Sequence, residues 1–170
     1  FGVRQPPVPI PTSAVIPTAK TNWRPTNLSA KAVVVIDQTS GSILFSANPD
    51  FQSFTASLTK LMTAMVALEA YPLDKVNIIN DENTAVGSSM ELQKGERITV
   101  QNLLKGLLID SGNDAAFALA NNYPTGYDGF VQKMNEIARF FHMNSTIYKN
   151  VSGVEQTGHL TTARDMATLT

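Results

Sequence analysis

The segment from Ser57 to about Tyr71 decides much about the fold, because it is apolar on nearly every side when it is drawn as a helix. Its apolar residues are Leu58, Leu61, Met62, Ala64, Met65, Val66, Ala67, Leu68 and Ala70. A helix with this pattern is a buried helix, so the rest of the chain has to enclose it. The chain has 170 residues, 43% hydrophobic and 16% charged, which is enough for one domain with a core. Lys60 then places an ammonium group in the first turn of the most buried helix.

The remaining pattern predicts an α/β fold of the α+β type. Residues 31–36 are β-branched and apolar, and a turn-forming segment joins them to a second short strand at 42–46, which together predict a β-hairpin. The last helix is predicted to have Thr161 or Thr162 as its N-cap and Asp165 in its first turn. Short extended pieces are predicted at residues 76–79 and 97–99. The helices beyond the buried one are predicted at residues 100–109, 114–122, 126–141 and 162–169.

The N-terminal segment, residues 1–30, differs in composition from the rest of the chain. It holds three bases, Arg4, Lys20 and Arg24, and no acid, whereas the remaining 10 bases and 14 acids give residues 31–170 a net charge of −4. Six of the nine prolines lie at or before Pro25, and residues 5–12 predict a polyproline II tether. We therefore expect a proline-rich extended segment over residues 1–30 and a folded domain over residues 31–170.

Charge and residue content exclude several classes of function. The formal net charge of −1 argues against a nucleic-acid binder that works by neutralising phosphates. The absence of Cys excludes a disulfide scaffold, a thiolate metal site and a Cys nucleophile, and two His are too few for a His-rich metal centre. No run approaches the roughly 20 apolar residues that span a bilayer. The chain starts at Phe1 without a signal-peptide pattern, so we expect a processed N-terminus.

The first candidate site is Ser57-Leu-Thr-Lys60. Positions i and i+3 of a helix share a face, so the Ser hydroxyl and the Lys amine lie close together. A Ser hydroxyl needs a base within hydrogen-bond reach to act as a nucleophile, and burial favours the neutral amine that can be that base. The alternative is that Ser57 is a helix N-cap and Lys60 extends to solvent.

The second candidate site is Ser111-Gly-Asn113, which interrupts two helical patterns. A hydroxyl and an amide two residues apart on a loop can face one cleft. Ser111 could relay a proton between Lys60 and a leaving amine, and the Asn113 amide could hold a substrate carbonyl. The alternative is a loop that only caps helices.

The two motifs, which begin at Ser57 and at Ser111, together resemble the S-x-x-K and S-x-N motifs of penicillin-binding, serine-active-site acyltransferases. Five stretches in order resemble the D-alanyl-D-alanine carboxypeptidases, the low-molecular-mass penicillin-binding proteins. These are residues 57–64, 87–90, 103–108, 111–116 and 158–167. The resemblance covers about residue 31 to the C-terminus. It implies a transpeptidase-like fold, with an antiparallel sheet flanked by helices, a helical half, and the active site between them.

The resemblance also implies a reaction and the residues that perform it. Ser57 would attack the carbonyl of the D-Ala–D-Ala bond of a peptidoglycan stem peptide, and water would then hydrolyse the acyl-enzyme. Lys60 would be the general base, Ser111 the proton relay and Asn113 the substrate-orienting amide. β-Lactams would acylate the same Ser57. No metal or organic cofactor is implied, no nucleic-acid partner is expected, and the protein would be exported to the periplasm or the outer face of the membrane.

The third motif of the family, a K-T-G strand that binds the substrate carboxylate, has no match in these residues. The segment 156–158 lacks a cation and comes too early, and 20–22 precedes the first motif and lacks the Gly. In the family, the number of residues between the second motif and this strand is normally larger than the number between Asn113 and Thr170 here. We therefore expect a truncated catalytic domain that is weakly active or inactive alone, with the remaining C-terminal part of the same protein as a possible partner.

Three other functions remain open. A D,D-endopeptidase that cuts cross-links and a β-lactamase share the same machinery, although no acid after Asn113 shows the pattern of a deacylating Glu. A non-catalytic relative would bind peptidoglycan without cutting it. Two residues of the last motif are interpreted as structural, with His159 in a loop and Arg164 paired with an acid.

Overall fold

The computed structural model describes residues 16–18, 25, 27–80 and 87–170. The polyproline II prediction at residues 5–12 lies outside the described residues. Within these ranges, no helix has both the length and the apolar content needed to cross a bilayer.

A β-hairpin opens the described domain, as predicted. Strand β1 (Val33–Ile36) pairs antiparallel with strand β2 (Ile43–Ala47). Asp37 closes the turn between them, because its Oδ2 accepts hydrogen bonds from the backbone N–H and the hydroxyl of Ser40 at 2.8 and 2.6 Å. Gly41, with φ of 68°, supplies the left-handed residue that this turn requires. The hairpin therefore forms through local turn chemistry.

The described residues beyond this hairpin form five α-helices, and the predicted positions are confirmed to within about two residues. They are α1 (Thr59–Ala70), α2 (Val100–Leu108), α3 (Asn113–Asn121), α4 (Gly126–Phe140) and α5 (Ala163–Leu169). Helix α1 packs against α2, α3 and α4, and α5 packs against β1. The prediction that α1 is buried on every side is wrong at Leu68, which is 56% exposed, and at Leu58 just before the helix, which is 54% exposed.

The start of α1 differs from the prediction in a way that concerns the site. A short 3-10 turn (Ala56–Leu58) precedes the helix, so Ser57 lies in this turn and not in the helix itself. We call these three residues the nucleophile turn, after the role that the sequence predicts for Ser57. Lys60 is the second residue of α1, and its side chain is directed toward the same side as that of Ser57. The predicted contact between Ser57 and Lys60 is therefore confirmed, although Ser57 lies in a 3-10 turn and not in an α-helix.

The two short extended pieces pair with each other. Strand β3 (Val76–Ile78) is antiparallel to β4 (Arg97–Thr99). Thr99 caps α2, because its hydroxyl accepts a hydrogen bond from the backbone N–H of Asn102 at 3.3 Å. This strand pair thus leads directly into α2, and α2 leads directly into the second candidate motif.

The segment between α4 and α5 has no regular secondary structure, but backbone hydrogen bonds hold it in place. Ile147 bridges to Leu160, and Thr161 bridges to Ser53, which brings the segment against the approach to α1. We call residues 145–162 the back segment. Thr162 caps α5 by accepting from the Asp165 N–H at 3.1 Å, as predicted.

Arg164 binds Asp50 through both its Nε and an Nη atom, at 2.7 and 3.0 Å. This confirms the predicted acid partner. The pair connects α5 to the chain just after β2, although its exposure keeps its contribution to stability small.

Candidate active site

Three separate elements bring the predicted residues to one place. The nucleophile turn carries Ser57, α1 carries Lys60, and the junction between α2 and α3 carries Ser111. Asn113 is the first residue of α3, whereas the sequence placed it in a loop before that helix. Ser111 is therefore in direct contact with Lys60 and Ser57, although it follows them in the chain by 51 and 54 positions.

The three polar side chains form a closed triangle. The Lys60 Nζ lies 2.9 Å from the Ser111 Oγ and 3.4 Å from the Ser57 Oγ. The Ser111 hydroxyl donates to the Ser57 Oγ at 3.1 Å. The Lys60 Nζ therefore has a direct contact with the Ser57 Oγ and a second, indirect connection to it through Ser111.

Lys60 is unusual because it is only 3% exposed, and it forms no ion pair with a carboxylate among the described residues. Burial lowers the pKa of the Lys60 amine, since the charged form loses its hydration. A neutral amine accepts a proton, whereas an ammonium can only donate one. This electrostatic setting suits Lys60 as a base, and the contacts with the two hydroxyls exclude the alternative that its side chain extends to solvent.

Ser57 opens onto a cleft of about 510 Å³. The floor of the cleft consists of residues 55–58, Lys60 and Ser111, and Leu61, Leu107 and Leu108 form an apolar wall. Apolar walls reduce the local dielectric and strengthen electrostatic interactions at the reacting atoms. The cleft is therefore accessible to a substrate at Ser57 and apolar on one side.

The backbone around the two serines is held in an uncommon conformation. Ala56, which precedes Ser57, has φ of 45°, and Ser111 has φ of 56°. Residues other than Gly rarely adopt this left-handed region, and such outliers cluster at functional sites. Gly153 touches the nucleophile turn from behind, because a Cβ on it would lie 1.8 Å from the Ala56 carbonyl oxygen.

Asn113 adjoins the triangle and also contacts a second segment. It is 5% exposed, and its backbone N–H donates to the Ser88 carbonyl at 2.7 Å. A Cβ on Gly87 would lie 3.0 Å from the Asn113 Nδ2, so that segment passes directly over the amide. The predicted nearness of Asn113 to Ser111 is confirmed, and its substrate-binding role stays a prediction.

Asp114 is a structurally important residue that the sequence reasoning missed. This fully buried carboxylate accepts hydrogen bonds from the backbone N–H groups of Met90 and Leu92 at 2.9 and 3.1 Å and from the Ser89 hydroxyl at 2.7 Å. It also accepts from the N–H of Ala115 in its own helix. The only sequence signal was an acid in a helix first turn, which usually indicates no more than a favourable interaction with the helix dipole.

The hydrogen bonds to Asp114 also determine its ionisation. Burial alone raises the pKa of a carboxyl, but the four donors outweigh it, and the pKa of Asp114 lies below the usual value. Asp114 therefore remains charged and ties residues 89–92 to the start of α3, beside Ser111 and Asn113.

We expect Asp114→Asn to lower the free energy of unfolding at pH 7 by about 1–3 kcal/mol, because the amide nitrogen would face backbone donors. A carboxyl with a depressed folded pKa stabilises the fold above its unfolded pKa, and that stabilisation is lost as the pH falls through the folded pKa. The difference in unfolding free energy between Asp114→Asn and wild type should therefore become smaller at acidic pH. Urea unfolding between pH 3 and 7 measures it, with the exposed Asp74→Asn as control. An equal effect of both substitutions would contradict the assignment.

The titratable residues outside the triangle are the remaining candidates for a metal site. In the described ranges, no group of three or more His, Asp or Glu is placed to hold a metal ion. His159 is 1% exposed and lies behind α1, where its Nε2 is 2.9 Å from the Thr59 Oγ1. As predicted, His159 lies in a loop. It does not line the cleft at Ser57.

The sequence profile of the D-alanyl-D-alanine carboxypeptidase family matches residues 18–170. The D-alanyl-D-alanine carboxypeptidase DacF of Bacillus subtilis is 35% identical over 144 residues, covering 81% of this chain and 37% of that protein. A D-alanyl-D-alanine endopeptidase of Pseudomonas aeruginosa is 38% identical over 145 residues, covering 84% of this chain and 46% of that protein.

The fold agrees with these relatives. The crystal structure of the D-alanyl-D-alanine carboxypeptidase DacD from Francisella tularensis superposes with a TM-score of 0.81 and 34% identity, over 89% of this chain and 39% of that one. The chain thus spans less than half the length of each of these relatives, and the fold predicted from the resemblance is confirmed for that part. Since the profile match runs through both motifs and nearly all of the described residues, this chain belongs to the D-alanyl-D-alanine carboxypeptidase family.

Proposed function

We propose that this chain carries the acylating part of a penicillin-sensitive, serine-type D-Ala–D-Ala carboxypeptidase. The supporting observation is the triangle in which the buried Lys60 amine contacts both the Ser57 and the Ser111 hydroxyls. A Ser hydroxyl on an accessible turn, with a desolvated amine beside it, is an arrangement suited to nucleophilic catalysis.

In the acylation step, the Ser57 Oγ attacks the carbonyl carbon between the two D-alanines, and its proton moves to the Lys60 Nζ. The resulting oxyanion is stabilised by the Ser57 backbone N–H, which lies at the N-terminal end of α1 where the helix dipole favours negative charge. The C–N bond then breaks. Ser111 passes the proton from Lys60 to the departing amine of D-alanine, leaving an ester on Ser57.

In the deacylation step, a water molecule attacks the ester and gives its proton to Lys60. The ester bond breaks, Lys60 returns this proton to the Ser57 Oγ, and the shortened peptide leaves with a new carboxyl group. A β-lactam follows the first step only in part: its ring opens, but its leaving nitrogen stays attached. The acyl group therefore remains on Ser57 for longer.

Substrate binding is assigned to groups on both sides of the triangle. Asn113 is proposed to orient the substrate carbonyl next to Ser57. The binding of the terminal carboxylate, and a second oxyanion donor, are assigned to a strand outside this chain, supplied by the remaining C-terminal part of the same protein. On this proposal, residues 31–170 are the N-terminal part of the catalytic domain, preceded by the proline-rich segment 1–30. On this proposal, the protein acts in the periplasm or at the outer face of the membrane, where its stem-peptide substrate lies.

A second candidate is D,D-endopeptidase activity, which cuts cross-links in peptidoglycan. It is favoured by the 38% identity to the Pseudomonas aeruginosa endopeptidase. Both reactions use the same acyl-enzyme and differ in the amine that leaves. A carboxypeptidase releases free D-alanine, and an endopeptidase releases a second peptide.

The test uses the gene product that carries these residues, with Ser57→Ala and the exposed Ser46→Ala as a matched control. After incubation with benzylpenicillin, we expect intact mass spectrometry to show one adduct on wild type and Ser46→Ala, and none on Ser57→Ala. Free D-alanine released from a peptide ending in D-Ala–D-Ala identifies the carboxypeptidase, and cleavage of a cross-linked dimer the endopeptidase. No adduct and no product would overturn the catalytic proposal and favour a non-catalytic peptidoglycan-binding role.

A further inference from the structure

A chain of buried polar contacts runs behind the nucleophile turn. The Thr59 Oγ1 lies 2.5 Å from the Thr55 Oγ1 and 2.9 Å from the His159 Nε2. All three residues are at most 4% exposed. Thr59 follows Ser57 by two positions, and residues two apart do not share a face of a helix. These contacts are therefore separate from the triangle at the cleft, although Thr59 stands between Ser57 and Lys60 in the chain.

The orientation of the His159 ring follows from its partners. The backbone N–H of Lys149 can only donate, and it lies 3.3 Å from the His159 Nδ1. Nδ1 is thus the acceptor, the proton is on Nε2, and Nε2 donates to the Thr59 Oγ1. Burial lowers the pKa of His159 and favours this neutral form. The Tyr148 ring meets the imidazole edge-on, with centroids 5.7 Å apart.

The back segment that carries His159 is itself anchored on both sides of the ring. Ile147 and Leu160 exchange backbone hydrogen bonds at 2.9 and 3.1 Å, and Ser53 and Thr161 exchange two at 2.9 Å. The imidazole therefore connects a fixed part of the fold to the first residue of α1. Thr59 carries the contact of the imidazole to α1, whereas Gly153 of the back segment packs against the nucleophile turn directly.

We propose that His159 is a positioning residue for acylation, because its hydrogen bond to the Thr59 hydroxyl fixes the start of α1 and so holds the Ser57 Oγ and the Lys60 Nζ in register. His159 touches neither the reacting atoms nor the substrate. Without this bond the first turn of α1 can rotate, and a misplacement of about 1 Å can cost about 10²-fold in rate. The inference rests on the proposed acylation of Ser57.

The test measures benzylpenicillin acylation of the gene product, with the acylation rate constant separated from the dissociation constant of the non-covalent complex. We expect His159→Leu and Thr59→Val each to lower the rate constant about 10- to 10²-fold while the dissociation constant changes little. Gln can donate from its Nε2 toward Thr59, so His159→Gln should restore most of the rate. The double variant His159→Leu/Thr59→Val should be no slower than Thr59→Val alone, since Thr59→Val already removes the contact with His159.

Asn135 supplies a matched control for a merely structural role. It holds the back segment from the other side, because its Oδ1 accepts from the Tyr148 N–H and its Nδ2 donates to the Tyr148 carbonyl, both at 2.9 Å. Asn135→Ala should lower the melting temperature and leave the acylation rate constant unchanged.

Each of three outcomes would overturn the inference about His159 and leave the proposed function intact. A normal rate in folded His159→Leu would do so, as would slowing by Asn135→Ala equal to that by His159→Leu, or additive effects in the double variant. If His159→Leu does not fold, Thr59→Val and His159→Gln decide alone. Failure of wild type to be acylated at Ser57 would instead refute the proposed function, and the inference would fall with it.

Discussion

Replacing Lys60 with Met should lower the rate of Ser57 acylation by about 10²–10⁴-fold, the usual contribution of a positioned base. The same substitution should raise the free energy of unfolding. Lys60 is buried beside two hydroxyls, and placing its amine there costs hydration that a thioether does not require. Activity and stability should therefore move in opposite directions at this one position.

The stability effect has a defined pH dependence. The pKa of Lys60 is lowered in the fold, so the unfolded chain binds more protons between the folded pKa and the usual value of 10.5. Wild-type stability then rises with pH across that interval, whereas Lys60→Met lacks this increase. The stability advantage of the variant should be largest below the folded pKa of Lys60 and narrow as the pH approaches 10.

Denaturant unfolding between pH 6 and 10, combined with penicillin acylation rates, measures both effects. The exposed Lys105 on α2 provides the matched control, because Lys105→Met removes an amine that is not buried. The assignment of Lys60 as the base is wrong if Lys60→Met acylates nearly as fast as wild type. The burial argument is wrong if both variants show the same pH dependence of stability.

Gly153→Ala should be severely destabilising and should also slow acylation. The added Cβ would lie 1.8 Å from the Ala56 carbonyl oxygen and 2.4 Å from its carbon. Those atoms are backbone and cannot move aside as a side-chain tip can, so either the nucleophile turn or the back segment must shift. Overpacking of this kind costs about 1–3 kcal/mol, and the left-handed φ of 85° adds strain for Ala.

The chain contains a control that separates the two causes. Gly95 has nearly the same φ, 84°, but a Cβ there meets nothing within 4 Å. Gly95→Ala thus reports the conformational strain alone. We expect both variants to lose unfolding free energy, with Gly153→Ala losing more and being the only one to acylate slowly. Equal losses, with equal acylation rates, would contradict the contact between Gly153 and the turn.

The sequence was sufficient to predict the helices and the first hairpin because their signals are local. Apolar spacing located α1 to α5, and turn residues located the hairpin. The contact between Ser57 and Lys60 was predictable for the same reason, since i, i+3 spacing implies it. Pairing of β3 with β4 was not predicted, because three residues are too few to show an alternating pattern.

The features missed all depend on contacts between distant parts of the chain. The tight turn at Ser57 is packed against Gly153, and Thr59 meets a His that lies 100 residues later. Asp114 likewise acts on residues 22 to 25 positions earlier. Local propensity contains no information about such partners. The resemblance marked residues 87–90 and 158–167 as family motifs, and the contacts now explain why residues of these two motifs matter physically.

The left-handed backbone at Ala56 and Ser111 has a consequence for how sequences of this kind can change. Each such residue costs about 1–3 kcal/mol, which packing elsewhere must offset. A glycine at either position would relieve that strain, so selection for heat resistance alone would favour it. Retention of the chemistry would oppose it, because a glycine in place of Ala56 loosens the backbone before Ser57, and a glycine in place of Ser111 removes the hydroxyl that contacts Lys60. These two positions are therefore where adaptation to temperature and retention of chemistry compete most directly.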